Sequence, residues 1–487
     1  MTASNGHSEW QKALGRELKT DDVDRFLRRR LREGVSWPLL ATQAPNWAAP
    51  SGGPAALSHT WVREPRLTEV AELAALGVWD FIYDPFLLGH DAEASRRFLT
   101  SWPESEARLW VLGEGQLPKG AQRVLHVTQV WARGGHAVHE LAGLLHQVIS
   151  WAQAPDPVPV GVALTMDREF FKSIAKARAL KALVQSALGE LGRGDLWPRL
   201  TWIARSSWRD FTALDPASNI LRNATAMAAG YVTGAQVVES LPHDMLLSRP
   251  DAAAAHLARA GQLVLQQEAG LGEVADAGEG AYALEDMTRQ LGEAAWTVMQ
   301  KLADQARPLE WLAEQASSSW QEVTRAMRTR RLVQAGVNDF PVAGATVELH
   351  DRFLRADHVR VATEFEALRR RAQAGAPLNI ALVVAGDWAG LQARLNFARN
   401  LFELAGATVV DPGRALESAE APSWLGAQAT PVWVWIAADG VAPFLPAGPG
   451  RAYVAGKQQV EDFLPLYSGM DVVELLEELL AWRESQS

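Results

Sequence analysis

The order of apolar and polar positions predicts a long alternation of strands and helices from residue 78 onward. The predicted strands are residues 78–85, 108–115, 123–130, 158–165, 199–204 and 236–242. Helical patterns fill residues 136–153, 172–192 and 216–234, the last with Asp215 as the expected N-cap and Pro216 at its first position. Strands and helices that alternate in this way form a parallel sheet, and so many units in one run favour a closed (β/α)8 TIM barrel.

The segment before this alternation reads as an N-terminal arm. Residues 21–32, DDVDRFLRRRLR, place apolar side chains on one stripe behind an acidic first turn, which predicts an amphipathic helix. Residues 42–61 are rich in Pro, Gly and Ala and follow neither period, which predicts an extended connector. We therefore assign residues 1–61 to the arm and 62–344 to the barrel.

A second, shorter alternation closes the chain. Predicted strands occupy residues 378–386, 407–411, 431–439 and 451–456, with helices at 391–404 and 470–482. This pattern predicts a small doubly wound domain of flavodoxin type at residues 377–487, joined to the barrel by a helical linker at 345–376.

Charge and composition narrow the possible partners. The 487 residues include 57 acidic and 47 basic side chains, a net charge of −10, so we expect neither nucleic acid nor an anionic membrane as a partner. There is no cysteine, which excludes disulfides, thiolate zinc sites and cysteine nucleophiles and fits a reducing cytoplasm. No apolar run is long enough for a membrane span, and no targeting segment is expected.

Few residues suggest chemistry by themselves. His136, His139 and His146 recur at helical spacing, but no H-E-x-x-H pattern accompanies them, so core or surface histidines are favoured and no metal is expected. Asp244 beside His243 is a candidate acid–base group or a cap.

Two further candidates lie later in the chain. Glu268, after two glutamines, is another candidate acid–base group or surface residue. In the last domain Gly386, Asp387 and Gly390 mark a strand-to-helix loop where a doubly wound domain places a cofactor. Because the loop matches neither G-x-G-x-x-G nor a P-loop, a tight structural turn is the favoured interpretation.

Three stretches together resemble the methylmalonyl-CoA mutase family. They are SWRDFTALDPASNILRNATAMAAGYVTGAQVVESLP at 207–242, AHLARAGQLVLQQEAGLGEVADAGEGAYALEDMTRQLGEAAW at 255–296 and VQAGVNDFP at 333–341. The resemblance implies adenosylcobalamin enzymes built as a barrel threaded by acyl-CoA, followed by a flavodoxin-like cobalamin domain.

The departures from the family pattern fall on its functional positions. Aligning GGHAVHELA at 134–142 puts Gln129 where catalytic chains carry a substrate-binding histidine, and Thr128 at their tyrosine. The acidic residue expected after the N-[IM]-L-R motif is Ala226, and the usual N-T pair is Ala260 and Gly261. The cobalamin motif D-x-H-x-x-G is represented by GDWAGLQARLNFARN, which contains no histidine.

The stretch ARLNFARNLFELAGATVV at 393–410 is similar to small subunits of heterodimeric bacterial mutases. That similarity implies no catalytic, cofactor-binding or metal-binding residue here, with Arg205, Asn219, Arg222 and Glu268 as structural or interface residues. Adenosylcobalamin and acyl-CoA would then be bound by a homologous large subunit. Two alternatives stay open: a self-sufficient acyl-CoA mutase with atypical cobalamin binding, and an orphaned acyl-CoA-binding or regulatory protein.

Overall fold

The computed structural model describes residues 3–23, 26, 28–38, 60–61, 67–75, 78–103, 107–249, 251–274, 276–342, 344–417, 419–428, 430–441, 443 and 450–486. Its α-helices are α1 Ala3–Leu18, α2 Leu67–Ala75, α3 Pro85–Leu88, α4 Ala92–Ser101, α5 Thr128–Ala132, α6 Ala137–Ala152, α7 Phe170–Glu190, α8 Ser218–Val232, α9 Ala252–Leu263, α10 Tyr282–Ala303, α11 Pro308–Arg328, α12 Thr363–Gln373, α13 Gln392–Glu403, α14 Ala421–Ala427 and α15 Val472–Ser485. Its strands are β1 Arg28–Arg30, β2 Ser36–Pro38, β3 Thr60–Trp61, β4 Asp80–Tyr83, β5 Arg108–Val111, β6 Ala121–Leu125, β7 Val160–Met166, β8 Leu200–Ser206, β9 Val237–Val238, β10 Asn379–Val384, β11 Thr408–Val410, β12 Val432–Ile436, β13 Arg451–Ala455 and β14 Leu464–Leu466.

Strands β3 to β9 form one parallel sheet in which every strand pairs with the next one in sequence. A sequential strand order is typical of a barrel. In an open doubly wound sheet, by contrast, the direction in which strands are added reverses once. Arg205 on β8 lies 2.7 Å from Asp84, which follows β4. Four strand spacings in a flat sheet would separate them by about 19 Å, so the sheet curls into a nearly closed barrel. The predicted barrel class is confirmed, with seven strands in the described part of the chain.

The last five strands form a separate parallel sheet in the order β11-β10-β12-β13-β14. Numbered from its own first strand, this order is 2-1-3-4-5, the flavodoxin-like arrangement that the sequence predicted. The sequence analysis missed α14 and β14. Both are short, and their few apolar positions give little periodicity to detect.

The amphipathic helix predicted at residues 21–32 is wrong. Within that range Arg28–Arg30 is a strand, paired antiparallel with Ser36–Pro38 around a turn at Gly34, whose φ is 78°. The predicted stripe does not form either, because Phe26 is 53% exposed while Leu31 is buried. Further upstream, the described residues form the longer helix α1. Most of the predicted connector at 42–61 lies outside the described residues; its last two residues form β3.

The β1–β2 hairpin is attached to the side of the barrel. The backbone of Ser36 exchanges two hydrogen bonds of 3.0 and 2.9 Å with the side-chain amide of Gln290 on α10. Glu33 in the turn lies 3.6 Å from the ammonium group of Lys172 on α7. The hairpin therefore packs on the barrel helices.

Several predicted elements differ from the structure at their ends, and two of them lie near the site described below. The strand predicted at 123–130 ends at Leu125, and α5 follows it from Thr128. The helix predicted from Pro216 begins at Ser218, although Asp215 still accepts the backbone N–H of Ser218 at 3.3 Å. Within the described ranges, no helix combines the length and hydropathy that crossing a bilayer requires.

Candidate functional site: the barrel lumen and its mouth

The inner side of the barrel is filled by apolar side chains. Consecutive side chains of a strand point to opposite faces of a sheet, and along β4 Phe81 and Tyr83 pack against the outer helices while Ile82 does not. Ile82 belongs instead to a buried cluster that runs around the inside of the sheet. The members of this cluster are Ile82, Trp110, Leu112, Val124, Ala163, Ile203 and Val237. The lumen of this barrel is therefore a packed core.

Trp110 on β5 is the largest side chain of this lumen cluster and is 1% exposed. Its indole Nε1 donates a hydrogen bond of 2.8 Å to Asp80, which also pairs with Arg108 at 2.6 Å. The indole N–H therefore has a hydrogen-bond partner inside the barrel, as a buried tryptophan requires.

Above the apolar layer, a buried ion network closes the mouth of the barrel at the carboxyl ends of the strands. The guanidinium of Arg205 donates to Asp84 at 2.7 Å, to Glu239 at 3.0 Å and to the hydroxyl of Thr128 at 3.2 Å. One cation thus faces two carboxylates with almost no solvent contact.

The electrostatics of the mouth follow from burial. Burial alone would lower the pKa of Arg205, but Glu239 and Asp84 outweigh it and raise that pKa above its usual value. Burial raises the pKa of Glu239 despite the adjacent guanidinium. Burial also lowers the pKa of His126 to about 4, so this imidazole is neutral at pH 7. Among these groups the cation is paired with two carboxylates, and the imidazole is uncharged at pH 7.

Thr128 and Gln129, which the resemblance aligns with a tyrosine and a histidine of catalytic chains, have different surroundings. Thr128 is buried and belongs to the Arg205 network. Gln129, one residue further along α5, is exposed and lines a cavity of about 1260 Å³ at the carboxyl ends of β5 and β6. His126 lines the same cavity and lies 3.1 Å from the Thr128 hydroxyl.

The other predicted site residues hold loops. Buried Asn219 donates to the carbonyls of Thr212 and His243 at 2.9 and 2.8 Å. Arg222 donates to Asn219 at 2.6 Å and to the Ala335 carbonyl at 2.9 Å.

The candidate acid–base residues Asp244 and Glu268 are not part of these contacts. Asp244 is buried and accepts the backbone N–H of Asp251, the N-cap of α9, so it holds the start of that helix. Glu268 is exposed at the end of a π-helical turn, Val264–Glu268.

The histidines of α6 form a stacked pair. The rings of His136 and His139 are 3.8 Å apart at 18°, an arrangement that does not include His146. Burial lowers the pKa of His136 to about 2 and that of His139 to about 4, so both rings are neutral. Across the described ranges, His, Asp and Glu side chains form no cluster that could hold a metal ion.

The loops above the mouth carry a second apolar cluster that covers it. Leu87 follows β4, Trp208 follows β8, and Phe353 comes from the predicted linker. The complete set is Leu87, Ala132, Trp208, Phe211, Leu241, Met245, Leu246 and Phe353. Sequence reasoning missed Asp84, Glu239 and this cover; the available signal was a single acidic residue at the end of each apolar strand run.

In the C-terminal domain the predicted loop is a tight turn. Asp387 accepts the backbone N–H of Ala389 at 3.1 Å, and a Cβ at Gly390 would lie 2.5 Å from the Asp387 carboxylate. Arg394 on α13 spans the neighbouring strand ends, donating to the carbonyls of Ala437 and Ala455 at 2.8 and 3.1 Å.

A nearly closed parallel barrel with a second flavodoxin-like domain defines a two-domain α/β protein, and comparison with known proteins finds similar sequences. Residues 162–385 match the family model described as Methylmalonyl-CoA mutase. The chain is 27% identical over 350 residues to the methylmalonyl-CoA mutase small subunit of Porphyromonas gingivalis, covering 67% of this chain and 56% of that protein. It is 30% identical over 233 residues to the small subunit of Propionibacterium freudenreichii subsp. shermanii, covering 46% of this chain and 36% of that protein.

A weaker similarity, 28% over 179 residues, links it to the mitochondrial methylmalonyl-CoA mutase of Mus musculus, covering 35% of this chain and 24% of that protein. The chain is thus similar to proteins of the methylmalonyl-CoA mutase family, and the longer of these alignments covers two thirds of it. Its alignments span roughly a third to just over half of the length of the small subunits named above.

Proposed function

We propose that this chain is the small, non-catalytic subunit of an adenosylcobalamin-dependent methylmalonyl-CoA mutase. A homologous large subunit would bind adenosylcobalamin and acyl-CoA and interconvert (R)-methylmalonyl-CoA and succinyl-CoA. The single observation that carries this proposal is the packed lumen, because the catalytic chains that the sequence resembles thread acyl-CoA through theirs.

The lumen supports the proposal through its side-chain volume. Trp110 and Ile203 lie on the inner face with almost no exposed surface. Close-packed interiors contain few voids larger than a water molecule, so a thioester chain would have to displace these side chains. Such repacking costs several kcal/mol before any substrate contact is made.

The polar groups at the mouth point to the same conclusion. Catalysis needs donors that are aimed at the reacting substrate and are not committed elsewhere. Arg205 is neutralised by Asp84 and Glu239 of its own chain, and Gln129 lies outside this network. The carboxamide of Gln129 also cannot transfer a proton near pH 7 as a histidine does.

The C-terminal domain does not fit adenosylcobalamin with the family's lower cobalt ligand. The last histidine of the chain is His358, so residues 377–487 supply no imidazole. The guanidinium of Arg394 also lies across the ends of β12 and β13, held further by Asp439 at 2.8 Å. In open α/β sheets a ligand occupies this edge.

The work of the subunit would be to stabilise the large chain in a heterodimer. Large apolar side chains remain on its surface, among them Leu221 at 72% and Phe340 at 73% exposed, as a protein interface requires. The chain lacks cysteine, which supports a cytoplasmic complex.

A paired substitution in the reconstituted complex tests the proposal. Gln129→Ala in this chain should leave the turnover of methylmalonyl-CoA within about twofold of the wild type, whereas alanine at the large subunit's barrel histidine should abolish most of it. If Gln129→Ala lowers kcat as strongly, this barrel is catalytic and the self-sufficient alternative gains support. If no large subunit forms a complex with the chain, the orphaned binding or regulatory protein is favoured.

A further inference from the structure

A second cavity lies where α11 of the barrel, the segment 349–362 and α12 meet. Its volume is about 230 Å³, and its polar lining consists of Thr324, Arg355, His358, Arg360, Thr363, Glu364 and Arg370. Pockets for drug-sized ligands begin at about 300 Å³, so this cavity suits a smaller molecule.

The most unusual polar group of this cavity is His358. Its side chain is 1% exposed and is surrounded by the rings of Phe86, Trp208 and Phe353, with centroids 4.6, 5.2 and 6.4 Å away. Neither ring nitrogen makes a hydrogen bond of good geometry within the described part of the chain, although the backbone of Arg352 interacts with the imidazole. A buried polar group left without a partner costs about 1–3 kcal/mol, so a ligand that accepts from this imidazole would recover that cost.

The cavity is lined by more N–H donors than carboxylates. Arg355, Arg360 and Arg370 line it, with one carboxylate, Glu364. Arg360 is paired with Glu366 through its terminal nitrogens, and its Nε–H remains buried without a partner among the described residues. Because Asp357 and Glu366 pair with Arg355 and Arg360, the cavity offers an anion buried N–H donors and one further cation, Arg370.

Two of these cations differ in their freedom to bind a ligand. Arg355 is held by both oxygens of Asp357 at 2.8–3.0 Å. Arg370 is exposed on α12, where its long side chain can turn toward an incoming anion. Arg370 thus supplies mobile charge, and His358 a fixed donor.

We propose that this cavity binds a small oxyanion, either phosphate or a short carboxylate, through His358 and Arg370. The bound anion would bridge α12 and the segment 349–362 that precedes it, beside α11 of the barrel. This site is independent of the proposed mutase function, because it requires neither a partner subunit nor cobalamin.

Calorimetric titration of the full chain tests this site. Inorganic phosphate and acetate are titrated separately, with sodium chloride at matched ionic strength as the blank. We expect saturable binding of at least one anion at one site per chain, and a rise in the melting temperature with that anion. The two arms distinguish a phosphate site from a carboxylate site. No saturable binding of either anion would overturn the proposal.

Two variants and a matched control locate the site. His358→Phe keeps an aromatic ring among its three neighbours and should weaken binding about tenfold, while the melting temperature without anion is not lowered. Arg370→Gln, at an exposed position that does not endanger folding, should weaken it severalfold. Arg371→Gln is next to it on α12 but does not line the cavity, so it should bind as the wild type does. Unchanged affinity in both His358→Phe and Arg370→Gln would contradict the site.

Discussion

Gly161 and Trp110 face each other inside the barrel, and a Cβ atom at residue 161 would lie 3.1 Å from Cε3 of the indole. The same atom would lie 2.6 Å from Cδ1 of Ile203. Strand β7 therefore carries glycine at the level where β5 carries the largest side chain. Small and large residues complement each other at this level of the lumen, which leaves little free volume between these strands.

Gly161→Ala should destabilise the chain by about 1–3 kcal/mol, because the added methyl group overpacks a rigid core. Denaturant unfolding followed by tryptophan fluorescence measures the difference. Gly189→Ala is the matched control: it lies on α7, and nothing surrounds its Cβ position within 4 Å. This control should be neutral or stabilising by up to about 1 kcal/mol. Equal stability of wild type and Gly161→Ala would mean that the lumen is looser than the contacts indicate.

Arg205→Met should cost about 3–5 kcal/mol at neutral pH, since it leaves Asp84 and Glu239 buried without their cation. This loss in the free energy of unfolding should become smaller as the pH is lowered. Burial already raises the pKa of Glu239, and removing Arg205 raises it further. A carboxyl group with a raised folded-state pKa binds its proton more tightly in the folded chain, so stability is recovered as the pH falls through that pKa.

The free energies of unfolding of Arg205→Met and the wild type are measured at about pH 7.5 and pH 5. Arg307→Met is the control, because Arg307 is 78% exposed in its side chain and pairs only with Glu310 among the described residues. We expect less than about 0.5 kcal/mol for that control. A deficit of Arg205→Met that is the same at both pH values would show that the two carboxylates are not the cause.

Glu33 should contribute to acid sensitivity through the hairpin. Burial alone would raise the pKa of Glu33, but the charges of Lys172 and Arg32 outweigh it and lower the pKa to about 2. The stabilisation that results from this lowered pKa is complete above the unfolded-state pKa of 4.5. It is lost as the pH falls toward 2. Glu33→Gln should therefore be less stable than the wild type at neutral pH and converge with it in acid. Glu314→Gln, at an exposed position on α11, should follow the wild type throughout; a pH-independent gap for Glu33→Gln would refute the assignment.

Arg394→Ala should destabilise the C-terminal domain by about 2 kcal/mol, because two carbonyl groups and Asp439 lose a charged donor. It should not confer adenosylcobalamin binding, since no histidine becomes available. Thermal unfolding and absorbance titration measure the two effects. Exposed Arg414→Ala on the same domain is the control for stability. Cobalamin binding by Arg394→Ala would mean that the guanidinium alone blocks the site.

The sequence predicted the fold well where apolar periodicity is long. The alternation between residues 78 and 242 and the restart at 378 both correspond to parallel sheets, because buried strands and amphipathic helices leave strong patterns. The prediction failed at residues 21–32. There, three arginines alternate with apolar residues at a spacing that is also typical of an amphipathic helix. The pairing of Arg28–Arg30 with Ser36–Pro38 and docking on Gln290 override that local preference.

The site was less predictable. The position of Gln129 followed from resemblance, but nothing local in the sequence places Asp84 and Arg205, separated by 121 residues, in one ion pair. The filling of the lumen by Trp110 was also hidden, because a tryptophan in a strand has the same pattern whether it faces helices or the barrel axis. Both depend on the curvature of the sheet, which is a property of the whole domain.

The most direct test is turnover by the purified chain, alone and with its large subunit. Adenosylcobalamin binding is recorded by absorbance, and formation of succinyl-CoA from (R)-methylmalonyl-CoA is assayed in both samples. We predict no cobalamin binding and no turnover by the chain alone, and turnover by the complex at one large subunit per chain. Cobalamin binding and turnover by the isolated chain would contradict a non-catalytic subunit, and would require the lumen occupied by Trp110 to open for substrate.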